Sequence, residues 1–168
     1  MEDQGALVAS HHGLARSGQW RTARKSYLAN NPYCKACDQP TGIGKLGHAI
    51  STMVGMKSIQ VHHLIPFHFG ILLGRPDIEL DQRNLIGLCE TGDNHHLLLG
   101  HLDDFRSYNP NLIDFIGKYH GMTPEQIKAD KNYVQAIAMK PKEWAEMTAA
   151  DKTAMRDLID QLYPLKAA

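Results

Sequence analysis

Cys34 and Cys37 stand two residues apart, and a third cysteine, Cys89, follows a segment rich in β-branched and apolar residues. Three cysteines cannot all pair within one chain, and a Cys-x-x-Cys spacing in an intracellular protein points to metal or redox chemistry before a structural disulfide. The odd count favours metal, and a tetrahedral thiolate site needs a fourth ligand. His95, just beyond Cys89 at the start of an expected helix, fits best, with His48 and Asp93 as other options. A Cys3His zinc site of this kind would tie the exit of the first helix to the strands that follow, a closure that a small core needs.

The histidines narrow the reading further. Ten among 168 residues is a large number, and they cluster as His62-His63, His95-His96 and His101. With His95 assigned to zinc, the imidazoles of His62, His96 and His101 form a second, open site for a divalent transition ion, leaving room for water and a phosphate oxygen. Two spacings strain this picture. Consecutive residues on a regular strand point to opposite faces, so His62 and His63 share one site only if the strand twists or bulges. His96 and His101 stand about 140° apart around an ideal helix, unless Gly100 distorts the turn.

The elements around these residues read as α+β. Trp20, Ala23, Tyr27 and Leu28 recur at helical spacing within Ser17–Asn30, and Asn31-Pro32 ends that helix. The stretch 41–55, TGIGKLGHAISTMVG, has no period and reads as a loop or insertion. SIQVHHLIPF is a short strand stopped at Pro66, paired with Asn84–Cys89, and the connection HFGILLGRPDIELDQR is expected to be a surface loop carrying part of the site. Asp93 is placed to cap a helix through HHLLLGHLDDF. Beyond Asn109-Pro110 the chain turns helical: Thr123-Pro124-Glu125-Gln126 has the form of a capping box, and Met155, Leu158, Ile159 and Leu162 form a stripe for the core or for a partner helix. The expected division is a tail over 1–13, a core with its zinc site over 14–111 and a helical extension over 112–168, the extension offering a surface for a protein partner.

Net charge is zero, which looks unfavourable for binding phosphate, yet the distribution is uneven. Between Leu14 and Val61, Arg16, Arg21, Arg24, Lys25, Lys35, Lys45 and Lys57 face a single acid, Asp38. Arg16, Arg21, Arg24 and Lys25, on or just before the first helix, are candidates for phosphate contact. No apolar run approaches the roughly 18 to 20 residues that cross a membrane, and MEDQGALVAS lacks the order of a signal peptide, so a cytoplasmic location is expected.

Four blocks in order, RSGQWRTARKSYLANNPYCKAC, VHHLIPF, LDQRNLIGLC and NHHLLLGHLDDFRSYNP, resemble the HNH endonuclease family over roughly Leu14 to Asn111. The resemblance implies a small ββα-metal core, the His-Me finger, flanked by N- and C-terminal helices. It implies His62 as the first metal ligand, His63 as general base, Asn84 as the residue steadying the base-bearing loop, and His96 as the last metal histidine. His101 is similar to an additional helix histidine in members that ligate with three. The chain departs from many zinc-bearing members in having His95 where they have cysteine. The implied activity is metal-dependent hydrolysis or nicking of DNA to 5′-phosphate products, supported by one divalent ion (Mn2+, Ni2+, Co2+, Mg2+ or Zn2+) beside the structural Zn2+. The contrasting reading is a zinc-stabilised nucleic-acid-binding module without catalysis.

Overall fold

The computed structural model describes residues 13–38 and 58–165. The stretch 41–55, the optional ligand His48, and Lys45 and Lys57 lie outside the described residues, as does nearly all of the expected tail. Helix α1, Trp20–Asn30, begins three residues later than the periodicity suggests, because the Ser17 carbonyl and side-chain oxygens first receive the amides of Trp20 and Gln19 in a turn. Its apolar side seats Tyr27 against Val61 and Leu85. Asn31 then closes the last turn by donating twice to the Tyr27 carbonyl, through backbone and side chain.

Strands β1, Ile59–His63, and β2, Leu85–Cys89, form a two-stranded antiparallel sheet. The register runs from Ile59↔Cys89 to His63↔Leu85 without a bulge. Every residue of β2 is buried, since the Cys34 segment passes over its edge and Lys35 N–H donates to the Gly87 carbonyl at 2.9 Å. Gly87 permits that passage: a Cβ there would meet the Tyr33 carbonyl oxygen at 3.0 Å.

The connection between the strands is not a surface loop. It folds into helix α2, Phe67–Leu72, and two short 3-10 turns, Pro76–Glu79 and Gln82–Asn84. Phe67, Phe69, Ile78, Glu79 and Asn84 are buried within it, so its apolar residues are core residues and not loop decoration. Asn84 holds its ends together with a fully used amide: Nδ2 donates to the Ile65 and Ile78 carbonyls and Oδ1 accepts from Ile65 N–H and Tyr163 O–H. After β2, the expected long helix is only a π turn, His96–Gly100. Asn94, the residue after Asp93, gives its side-chain oxygen to the Leu97 amide. The helix stops at Gly100 because Leu102 and Asp103 adopt left-handed φ values of 51° and 63°. That conformation is unfavourable for Leu102, and full burial of its side chain offsets the cost.

Helices α3 (Leu112–Tyr119), α4 (Pro124–Ala129), α5 (Lys131–Ala138) and α6 (Ala149–Leu162) complete the chain. The capping box at Thr123 forms as its sequence suggests, with Gln126 reciprocating. Leu112, Tyr119, Ile127 and Tyr133 share one apolar cluster with Ile86, Leu88 and Leu99, while Ile159 and Tyr163 share another with Ile65, Phe69 and Ile78. Asn111 therefore marks a change of composition and not a gap in packing. Arg75, 2 % exposed, anchors α6 by binding Asp77, Asp160 and the Tyr163 carbonyl. Among the described residues no helix is long and apolar enough to cross a membrane.

The expected stripe on α6 divides. Met155, Ile159 and Tyr163, four apart, face the core, whereas Leu158 and Leu162 are 40 % and 48 % exposed. Ile159→Ala should therefore lower the unfolding free energy by roughly 2–5 kcal/mol. Leu158→Ala should change it by less than about 0.5 kcal/mol. Urea denaturation of both variants checks the split, and equal losses would contradict the packing described.

Candidate functional site

Ligand atoms of Cys34, Cys37, Cys89 and His95 lie within 4.8 Å of one another. Three separate stretches bring them there: the turn after α1, the end of β2 and the entry to the π turn. His95 Nδ1 is 3.2 Å from Cys89 Sγ and 3.7 Å from Cys34 Sγ. Those separations fit ligands about 2.0–2.3 Å from a common centre in tetrahedral array. The His95 amide also points at Cys89 Sγ, 3.5 Å away. Cys34, Cys89 and His95 are inaccessible to solvent. Hydrogen bonds from Cys37 and Cys89 pull the Cys34 thiol below its ordinary pKa, and hydrogen bonding to Cys34 pushes Cys89 up. A soft donor set of three sulfurs and an imidazole suits a zinc-like cation.

A second group, His62, His96 and His101, also has its ligand atoms within 4.8 Å. The awkward spacing of five is resolved by the π turn, in which bonding to the carbonyl five residues back widens the helix and carries His101 round toward His96. Their Nε2 atoms are 3.2 Å apart. His101 Nδ1 faces the Ser107 carbonyl at 2.7 Å and must donate to it, which puts the ring's lone pair on Nε2, the atom that faces His96. His62 joins from the sheet, its ring centroid 4.7 Å from that of His101 and 5.4 Å from that of His96. Gly100 admits it, because a Cβ there would stand 3.1 Å from His62 Cε1. Burial and then the neighbouring histidines hold His62 well below the ordinary imidazole pKa, and burial and His101 bring His96 down to about 3. His62 Nε2 and His96 Nδ1 are buried without a hydrogen-bond partner. Converging imidazoles, two of them with an unpartnered ring nitrogen, suit a transition ion.

His63 leaves this group, as strand alternation demands, and no bulge is needed. Its ring packs 4.7 Å from Trp20 and 5.9 Å from Phe67. Nε2 lies 3.0 Å from the Glu79 carbonyl oxygen, which can only accept, so the ring proton sits on Nε2 and Nδ1 carries the lone pair. Burial lowers the His63 pKa to about 3, opposed by that hydrogen bond and reinforced by the charge of Arg16. Arg16 is clamped between the Trp20 and Phe67 rings, 4.4 and 4.3 Å from their centroids, and pairs with Glu79 Oε1 at 3.6 Å. His62 and His63 nonetheless open on one cleft of about 570 Å³, shared with His96, His101, Phe105 and, across from them, Lys142.

Of the basic candidates, Arg21 and Lys25 are exposed on α1, and Arg24 is half-buried on the cleft wall with its guanidinium near Gln60 and the Ile59 carbonyl. Arg16 is drawn inward beside His63. Ser107 and Tyr163 are residues that sequence reasoning missed. Ser107 acts through its backbone carbonyl, which carries no side-chain signal, and Tyr163 meets Asn84 only through tertiary packing.

No protein-family model matches this chain, and neither a curated protein nor a solved structure matches it. The site is therefore judged on its own chemistry. Cys89→Ser should lower bound zinc and thermal stability together, because metal-binding free energy is folding free energy. Elemental analysis of the purified protein beside a melting curve tests this, and normal stability with no bound metal would rule out the cluster as a structural centre.

Proposed function

We propose that this chain is a metal-dependent DNA endonuclease of the HNH kind, with a small ββα-metal core in which β1, β2 and the π turn carry the site. Under this reading Cys34, Cys37, Cys89 and His95 hold a structural zinc ion. The observation that carries the proposal is the pairing, on one cleft, of a three-histidine cluster with a separate neutral histidine, His63, whose proton is held on Nε2 by the Glu79 carbonyl.

Hydrolysis of a phosphodiester needs a base for the attacking water and positive charge where the phosphate and leaving oxygen gain negative charge. His63 Nδ1 takes the proton from water. Burial, more than any neighbouring charge, holds its pKa low, so it is unprotonated at neutral pH and open to a proton. His62, His96 and His101 would hold a divalent ion, which would supply Lewis acidity to a phosphodiester in the cleft. Asn84 keeps the 64–84 segment folded so that the Glu79 carbonyl stays against His63. Arg16 and Arg24 on the cleft wall, with Arg21 and Lys25 on the exposed side of α1, provide positive charge for the DNA backbone.

Nicking of supercoiled plasmid, with and without chelator, tests the activity. His63→Ala should slow cleavage about a hundredfold to ten-thousandfold while a divalent ion still binds the zinc-loaded protein, as general-base removal does. His62→Ala should lose both. Chelator-resistant binding of DNA without any cleavage would replace the endonuclease with a zinc-stabilised binding module, and full activity in His63→Ala would remove the mechanism. Affinity for duplex DNA should fall with salt, with a log-log slope that flattens by about one in Arg21→Ala and in Arg24→Ala. An unchanged slope in Arg24→Ala would assign that side chain to its Gln60 contact alone.

A further inference from the structure

We propose that Tyr133 and Asn109 are positioning residues for the three-histidine cluster, setting the π turn on which His96 and His101 converge. The inference rests on reading that cluster as a metal site. The last four carbonyls of a helix have no partners within it, and what satisfies them decides how the helix ends. Here all four have partners. Leu97 O accepts from Asp103 N–H at 3.0 Å and His101 N–H at 3.3 Å, Leu98 O from Tyr133 O–H at 2.7 Å, Leu99 O from Asn109 Nδ2 at 3.0 Å and Gly100 O from Asn109 N–H at 2.9 Å.

Continued α-helical winding would give Leu98 O and Leu99 O to the amides of Leu102 and Asp103. Tyr133 and Asn109 take those two carbonyls instead, Asp103 N–H turns back to Leu97 O, and the chain leaves the helix at His101. That exit also carries Ser107 to the His101 ring, since Asn109 pins the far end of the same loop to Gly100. Under α-helical winding the His101 side chain would stand about 140° from His96. Both positioning residues are buried, Tyr133 completely and Asn109 to 2 % exposure, so their hydrogen bonds have no competition from water. Neither touches the candidate ligand atoms: each acts on His96 and His101 through the backbone between them.

The test is a calorimetric titration of Mn2+ into full-length protein carrying one equivalent of zinc, with the visible spectrum of Co2+ at the same site as a second readout. Tyr133→Phe keeps the ring and removes only the hydroxyl, and Asn109→Ala removes the amide. Each should weaken the second ion by about tenfold, the low end of what loss of an outer-shell contact does. Each should also change the Co2+ spectrum while zinc content stays at one per chain. Tyr119→Phe is the control, because that ring is buried in the same apolar cluster but its hydroxyl binds Asp130 at 2.9 Å. It should reduce thermal stability without moving either metal readout. Unchanged affinity and spectrum in Tyr133→Phe and Asn109→Ala would overturn the inference, as would equal losses in Tyr119→Phe. A parent protein that takes up no second ion would overturn the metal-site reading and the inference with it. A parent that binds the ion and responds to Tyr133→Phe, but never cuts DNA, would support the inference and remove the endonuclease alone.

Discussion

Three cysteine sulfurs and an imidazole nitrogen are gathered within 4.8 Å, with Cys34, Cys89 and His95 closed to solvent and Cys37 partly exposed. Water cannot screen the three buried groups, so charge there is stabilised by sharing among the ligands or with a cation. Much of the chain depends on that gathering. It draws the turn after α1 across the edge of β2, where Lys35 bonds Gly87, and it sets the start of the π turn directly beyond the end of β2. Closing these stretches at one point defines the inner wall against which α3 to α5 pack.

Adjacent residues then belong to two different clusters. His95 turns toward the sulfurs and His96 toward His62 and His101, so the position of one cluster constrains that of the other. On β1 the same division occurs between His62 and His63, with the pleat sending one ring to the cluster and the other to Glu79, Trp20 and Phe67. For the proposed hydrolytic chemistry this separation matters, because a base must stay off the ion and still face the same cleft.

The helices beyond Asn111 do more than cover the core. Tyr163 supplies the last hydrogen bond of the Asn84 amide, and Arg75 ties α6 to the segment that holds Glu79 against His63. His120 pairs with Asp38 at 2.9 Å, and the Gly121 amide reaches the Ala36 carbonyl, so the end of α3 closes over the cysteine turn. Both candidate centres are thus buttressed by residues distant from them along the chain.

Local patterns in the sequence determined a good deal: helix α1 from its apolar spacing, the β1–β2 pair from short β-branched runs, the Thr123 capping box, and both candidate ligand sets from Cys-x-x-Cys and clustered histidines. Each is a property of residue type and short-range spacing, which the backbone repeats of helix and strand convert directly into geometry. Only the tertiary structure decided the rest. It made the 64–84 connection part of the core, split the α6 stripe so that Leu158 faces water, and placed Tyr163 on Asn84. Above all it ended the expected α-helix over 95–105 after a single π turn, with the carbonyls of Leu98 and Leu99 bonded to Tyr133 and Asn109. No short-range period encodes a hydrogen bond between residues 35 positions apart. A helix whose ends are decided by such bonds is settled only when the chain around it has folded.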